Sequence, residues 1–182
     1  FWVLLNSYMN YFELFEIPVS LQVDPALLSK QYVALQKKYH PDFFTQSGED
    51  EQAEALHFSS ELNKGLKILR NPDETIKYVL QLKGLLTDDE KYQLPPDFLM
   101  EMMELNESLE EGSAAGIEAI QNELYEAVAP IITGFDNTKT TETELLQLKE
   151  YYFKKKYLQR ILERLDDWRN IAPRYKRLTL NV

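Results

Sequence analysis

The chain has 182 residues, 44% hydrophobic and 27% charged, the balance of a polypeptide that buries one or two small cores. It contains no Cys and only two His, His40 and His57. That excludes a disulfide framework, a thiolate nucleophile and a thiolate-held zinc or cluster, and no cofactor or metal is expected. A net charge of −10 argues against nucleic acid as a partner. Residues 85–140 hold 2 Lys/Arg against 13 Asp/Glu, and residues 141–182 hold 10 against 6. Two helical regions of opposite charge either pair with each other or present an acidic surface to a basic partner.

No apolar run approaches the ~20 residues needed to span a bilayer, so no membrane is expected. Phe1–Tyr8 is apolar and lacks a basic flank, and it reads as upstream residues before a natural start at Met9. Without a recognisable targeting signal, the expected location is the cytoplasm.

The expected fold is all-α, since neither period-2 alternation nor a hairpin turn signal occurs. Asn10–Phe15 predicts a short helix closed by Pro18. Asp24-Pro25 predicts the next start, with Asp as N-cap and Pro at the first helical position. Leu28, Tyr32, Leu35 and Tyr39 then form one apolar stripe, opposite Lys30, Ala34, Lys37 and Lys38. Pro41 stops this helix near His40, and Phe43–Asp50 reads as a loop. A second long helix is expected over Glu51–Leu69, burying Ala55, Phe58, Leu62, Leu66 and Leu69. Asn71-Pro72 breaks it, and a shorter helix follows to about Lys83, stopped by Gly84.

Residues 9–84 thus predict a helical hairpin with a short helix at each end, and 85–96 a linker closed by Pro95-Pro96. Helices near Asp97–Glu111, Ala114–Ile132 and Glu142–Trp168 predict a three-helix bundle over 97–168, followed by a basic tail over 169–182. On the first bundle helix Phe98, Met102, Leu105 and Leu109 form the core stripe. Leu99, Met100 and Met103 fall on another face, shared with Glu104, Glu107 and Glu111. An apolar patch rimmed by charge is an interface signature, and Met adapts well to a partner surface. Packing against the other bundle helices or against the helical unit of residues 9–84 is the competing explanation.

The tripeptide His40-Pro41-Asp42 sits where the basic helix ends. Chance places this triplet in about one in a hundred chains of this length. A helix C-terminus carries partial negative charge, which suits Lys37, Lys38 and a His that donates. Pro41 fixes the turn, and Asp42 projects a carboxylate from a stiff corner; this polar tip beside the basic helix face suits docking into an acidic groove. No nucleophile motif or phosphate loop accompanies His40, and His57 reads as a surface or rim residue, so no catalytic residue is expected and the chain is not expected to be an enzyme.

Four segments, in order, resemble a J domain: Asn10-Tyr11-Phe12-Glu13-Leu14-Phe15, Gln36-Lys37-Lys38-Tyr39-His40-Pro41-Asp42, Leu62-Asn63-Lys64-Gly65-Leu66-Lys67-Ile68-Leu69, and Arg70-Asn71-Pro72 with Tyr78. Phe43 departs from the Lys frequent after the Asp, and Leu66 from a common aromatic. The resemblance implies that His40, Pro41 and Asp42 trigger ATP hydrolysis in a DnaK-like chaperone, with Lys30, Lys37 and Lys38 steering the docking. With neither a Gly/Phe-rich segment nor zinc repeats, and with Phe98-Leu99-Met100-Glu101 opening a helical region, the layout is similar to the HscB family of iron–sulfur co-chaperones. That resemblance implies that an IscU-type scaffold protein contacts Leu99, Met100, Met103, Glu104, Glu107, Glu111 and Tyr157, and that an HscA-type chaperone receives it. A J-domain co-chaperone for a different client is the alternative.

Overall fold

In the computed structural model, the backbone of residues 10–110 and 115–178 is described, with side chains over 10–107 and 116–164. Residues 1–8, Met9 and Glu111 therefore lie outside the description, as does the side chain of Leu109. Among the described residues seven α-helices and one 3-10 turn occur, with no strand. They are α1 (Tyr11–Leu14), α2 (Pro25–Tyr39), the 3-10 turn Pro41–Phe44, α3 (Glu49–Arg70), α4 (Pro72–Leu82), α5 (Pro96–Glu110), α6 (Ala115–Thr133) and α7 (Glu142–Leu178). The chain divides into two compact units. One runs to Asp88 and takes in Ile131–Leu145, and the other comprises Asp89–Pro130 and Leu146 onward.

Local chemistry explains most helix ends of the first unit. Asn10 accepts from the Glu13 N–H at 3.0 Å while the Glu13 carboxylate accepts from the Asn10 N–H, a reciprocal capping box. Backbone bonds ahead of Pro18 close α1. The Ile17 N–H donates to Phe12 O and the Glu16 N–H to Glu13 O, with Glu16 left-handed at φ 54, which satisfies the last carbonyls at the expected end near Phe15. Asp24 caps α2 through the Ala26 N–H at 2.8 Å, with Pro25 at the first helical position. Asn71 caps α4, and Gly84 at φ 70 closes it where a side chain would be strained.

The hairpin is α2 against α3, antiparallel. The Tyr32 hydroxyl donates to Asn63 at 2.8 Å, and Tyr39 meets Phe58 edge-on at 4.5 Å. Leu28, Ala55, Phe58, Leu62 and Leu69 are buried as their spacing predicts, each large apolar chain contributing about 1.5–3 kcal/mol. Tyr32, Leu35 and Tyr39 are only partly buried, because a two-helix hairpin covers a narrow strip of each partner. Leu66 is also only partly buried, and Gly65 is buried beside it. The reason is tertiary. Tyr11 and Phe15 press onto the α3 backbone so closely that a Cβ at Gly65 would stand 2.8 and 2.9 Å from their rings. Helix α3 starts at Glu49, ahead of the expected Glu51, with Glu49, Asp50 and Glu51 favouring the positive end of the helix dipole.

In the second unit Phe98, Met102, Leu105, Ile117, Leu158 and Ile161 form one buried cluster of α5, α6 and α7 side chains. The segment before α5 is tied to α7 by Glu90–Lys149 at 2.5 Å and by Tyr92 stacked on Phe153 at 4.5 Å. Acidic and basic segments do pair here. Helix α7 continues past the expected end at Trp168 to Leu178.

Candidate functional site

The tip of the hairpin is built by His40. Its backbone is extended (φ −63, ψ 132), which ends α2 immediately before Pro41. The expectation that His40 donates to the helix it ends is not met by Nδ1. That nitrogen instead accepts the Asp42 N–H at 3.2 Å and caps the 3-10 turn that follows. The Phe43 N–H donates to His40 O at 3.0 Å, and Thr45 Oγ1 to Asp42 O at 3.2 Å. Gln52 on α3 holds the far side of the loop, donating to Thr45 O and Ser47 O. What reads as an open loop is therefore a pinned turn. It is pinned by side chains at its own ends, a feature that apolar periodicity does not report.

The polar groups of this turn face water. The Asp42 side chain is 82% exposed and that of His40 46%, with their Nδ1 and Oδ2 atoms 3.5 Å apart. Lys30, Lys37 and Lys38 are all exposed on α2. Contact with Tyr39 pushes the Lys38 pKa upward, so the charge beside the tip persists at all ordinary pH values. Lys30 stands seven residues before Lys37, two helical turns and about 10 Å along the same side. Lys30 and Lys37 thus share one side of α2, the helix that ends at the His40-Pro41-Asp42 turn.

The second candidate surface lies on α5 of the other unit. Phe98, Met102 and Leu105 turn inward, whereas Leu99, Met100 and Met103 are 37%, 57% and 67% exposed. Packing inside the bundle therefore does not account for Met100 and Met103, whereas most of Leu99 is covered by the protein. Glu104 and Glu107 are exposed beside them at helical spacings of three and four residues. Tyr157 differs. It is partly buried against the core cluster, its ring 6.1 Å from Phe98 and edge-on, so much of it serves the bundle. Tyr151 and Tyr152 are buried outright.

Among the described residues no cluster of His and carboxylates with metal-ligand geometry occurs, and no helix is long and apolar enough to cross a membrane.

Comparison with known proteins decides the family. A co-chaperone protein HscB homolog from Haemophilus ducreyi is 32% identical over 160 residues, covering 82% of this chain and 92% of the relative. The chain belongs to the HscB co-chaperone family. A family model described as the HSCB C-terminal oligomerisation domain matches residues 94–166. An HscB homolog from Vibrio cholerae is 41% identical over 107 residues, a match spanning 58% of this chain and 63% of that relative's length. The solved chaperone HscB from Vibrio cholerae superposes with a TM-score of 0.73 at 28% identity, covering 90% of this chain and 99% of that one. The HscB relatives bear the name co-chaperone.

The docking set drawn from the sequence leaves out Phe43. It is 69% exposed, on the same turn as Asp42. Its place in a Phe43-Phe44 pair at a turn is the only sequence signal, because such a turn points its neighbours in different directions.

Proposed function

We propose that this HscB-family chain is a two-handed adaptor. Its second unit binds an IscU-type iron–sulfur scaffold protein, and its first engages the ATPase domain of a DnaK-like, HscA-type chaperone and stimulates ATP hydrolysis. One observation carries the reading: a single chain holds both a pinned, exposed His-Pro-Asp tip and a separate apolar patch, Leu99, Met100 and Met103, edged by Glu104 and Glu107. A helix that has already buried Phe98, Met102 and Leu105 gains nothing in folding from a second wet apolar face.

The lysines of α2 steer the first unit into an acidic groove, and the turn presents Asp42 and His40 without further ordering cost. Binding the client on the same chain raises its effective concentration at the chaperone, so hydrolysis coincides with delivery. The protein supplies positioning, and the bond-breaking belongs to the chaperone. Cytoplasmic residence is part of the same proposal.

Calorimetric titration of a purified IscU-type scaffold tests the client half. Wild type binds, and the triple variant L99A/M100A/M103A loses at least tenfold in affinity, as expected for truncating a buried interface centre. A folded scaffold that gives no heat with wild type ends the client assignment. The chaperone half rests on D42N, which keeps the fold and abolishes stimulation of the chaperone ATPase.

A further inference from the structure

We propose that Phe43 is a contact residue of the chaperone-docking tip, an aromatic anchor that inserts into an apolar depression on the DnaK-like ATPase beside the groove that receives Asp42 and His40. The inference deepens the docking reading above and rests on it. Phe43 is the most exposed large apolar side chain among the described residues, at 69%. Its neighbour Phe44 is partly buried. The turn therefore sorts two identical side chains, one partly covered by the protein and one left in water.

The exposed ring is also held in place. The Phe43 N–H is bonded to His40 O at 3.0 Å, and its ring lies edge-on to the His40 imidazole at 6.1 Å. The turn beneath it is closed by the Asp42 N–H on His40 Nδ1 and by Gln52 from α3. An aromatic ring on a fixed backbone has two torsions left to lose, so it binds at small entropic cost. Flanked by an imidazole and an exposed carboxylate, it has the composition of an interface hot spot, an apolar anchor within a polar surround. Geometry selects the occupant. Phe43 adjoins Asp42 in the chain and touches the His40 ring, so a partner surface that closes on both polar groups must also cover Phe43.

The test is steady-state ATPase stimulation of a purified DnaK-type chaperone by the full chain, titrated as wild type, F43A, F43L, D42N and L82A. Leu82 is an exposed apolar residue of α4 and controls for loss of surface hydrophobicity in general. F43A raises the half-saturating concentration roughly tenfold at an unchanged plateau, F43L raises it less, and L82A superposes on wild type. The ring nitrogen signals of His40 by NMR stay in place in F43A. If F43A superposes on wild type while D42N abolishes stimulation, docking through the tip stands and the Phe43 contact is wrong. If the His40 signals move as stimulation falls, Phe43 acts through His40 and is no contact. If concentration-dependent self-association is lost in F43A while stimulation is intact, the ring faces a second copy of the chain and the proposal is overturned. A shift in L82A equal to that in F43A likewise overturns it. Wild type that stimulates nothing removes the docking reading, and the proposal falls with it.

Discussion

A Cβ placed on Gly65 would stand 2.8 Å from Cδ1 of Tyr11, closer than real Cβ atoms come to their neighbours. Phe15 closes the same spot from the other side at 2.9 Å. Helix α1 therefore docks ring-first onto bare backbone of α3. Both rings lie in the buried or half-buried layer, where neither has room to retreat.

Gly65→Ala is expected to destabilise the first unit by about 1–3 kcal/mol, the usual cost of overpacking. The sign is informative, because on an exposed helix Ala is better than Gly by up to ~1 kcal/mol. Urea unfolding of the full chain, followed by helix signal, measures it. A variant more stable than wild type shows that Tyr11 and Phe15 move aside freely.

The two faces of α5 separate stability from binding. Phe98→Ala opens a cavity in the bundle cluster and is expected to cost about 3–5 kcal/mol. L99A/M100A/M103A truncates two largely exposed side chains and the more covered Leu99, and is expected to cost less than about 2 kcal/mol. Thermal unfolding of both variants checks this. A triple variant as unstable as F98A makes the patch a structural element and deprives it of a docking role.

Features visible in the sequence were those with local causes. Asp24-Pro25, Asn71-Pro72 and Gly84 mark helix ends through caps that involve only residues nearby in the chain. The inward and outward faces of α5 followed from angular spacing alone, since its outward face carries Leu and Met where a solvated helix carries polar groups. What escaped had distant or self-made causes. The burial of Gly65 in preference to Leu66 is imposed by rings fifty or more residues earlier. The 3-10 turn exists because His40 spends Nδ1 on Asp42, a use of the side chain that the tripeptide does not announce. Tyr157 reads as a surface contact by similarity and is half committed to the core.

Tyr11 also carries a pH signature. Burial above all, with the Glu61 carboxylate accepting its hydroxyl proton at 3.2 Å, pushes its pKa up from 10 to about 12. Tyr78, whose hydroxyl accepts from the Tyr11 N–H, is raised as well, chiefly by burial. The unfolded chain thus loses the Tyr11 proton first. Between pH 10 and about 12 the folded state binds more protons, so stability falls as pH rises through that window and is fully retained below it. In Tyr11→Phe the fall is expected to be shallower, with the Tyr78 contribution left. Unfolding midpoints of both proteins across the window, with phenolate absorbance as a second readout, test the link. Parallel curves for the two proteins dissociate Tyr11 from the alkaline loss.

In the proposed docking the lysines of α2 are expected to act at longer range than contact. Lys30, Lys37 and Lys38 are exposed, so K37A/K38A is expected to leave stability within about 0.5 kcal/mol of wild type. Exposed charges of this kind change the rate of encounter more than the lifetime of the complex. Association of K37A/K38A with a DnaK-type chaperone is therefore expected to slow about fivefold or more at low ionic strength, with dissociation nearly unaltered. The deficit shrinks toward 1 M salt, where screening acts within ~3 Å and wild type loses the same attraction. Stopped-flow association across a salt series measures both effects at once. A variant that associates as fast as wild type in low salt leaves the lysines as a solvated helix face, and the docking energy then resides in the His40-Pro41-Asp42 turn alone.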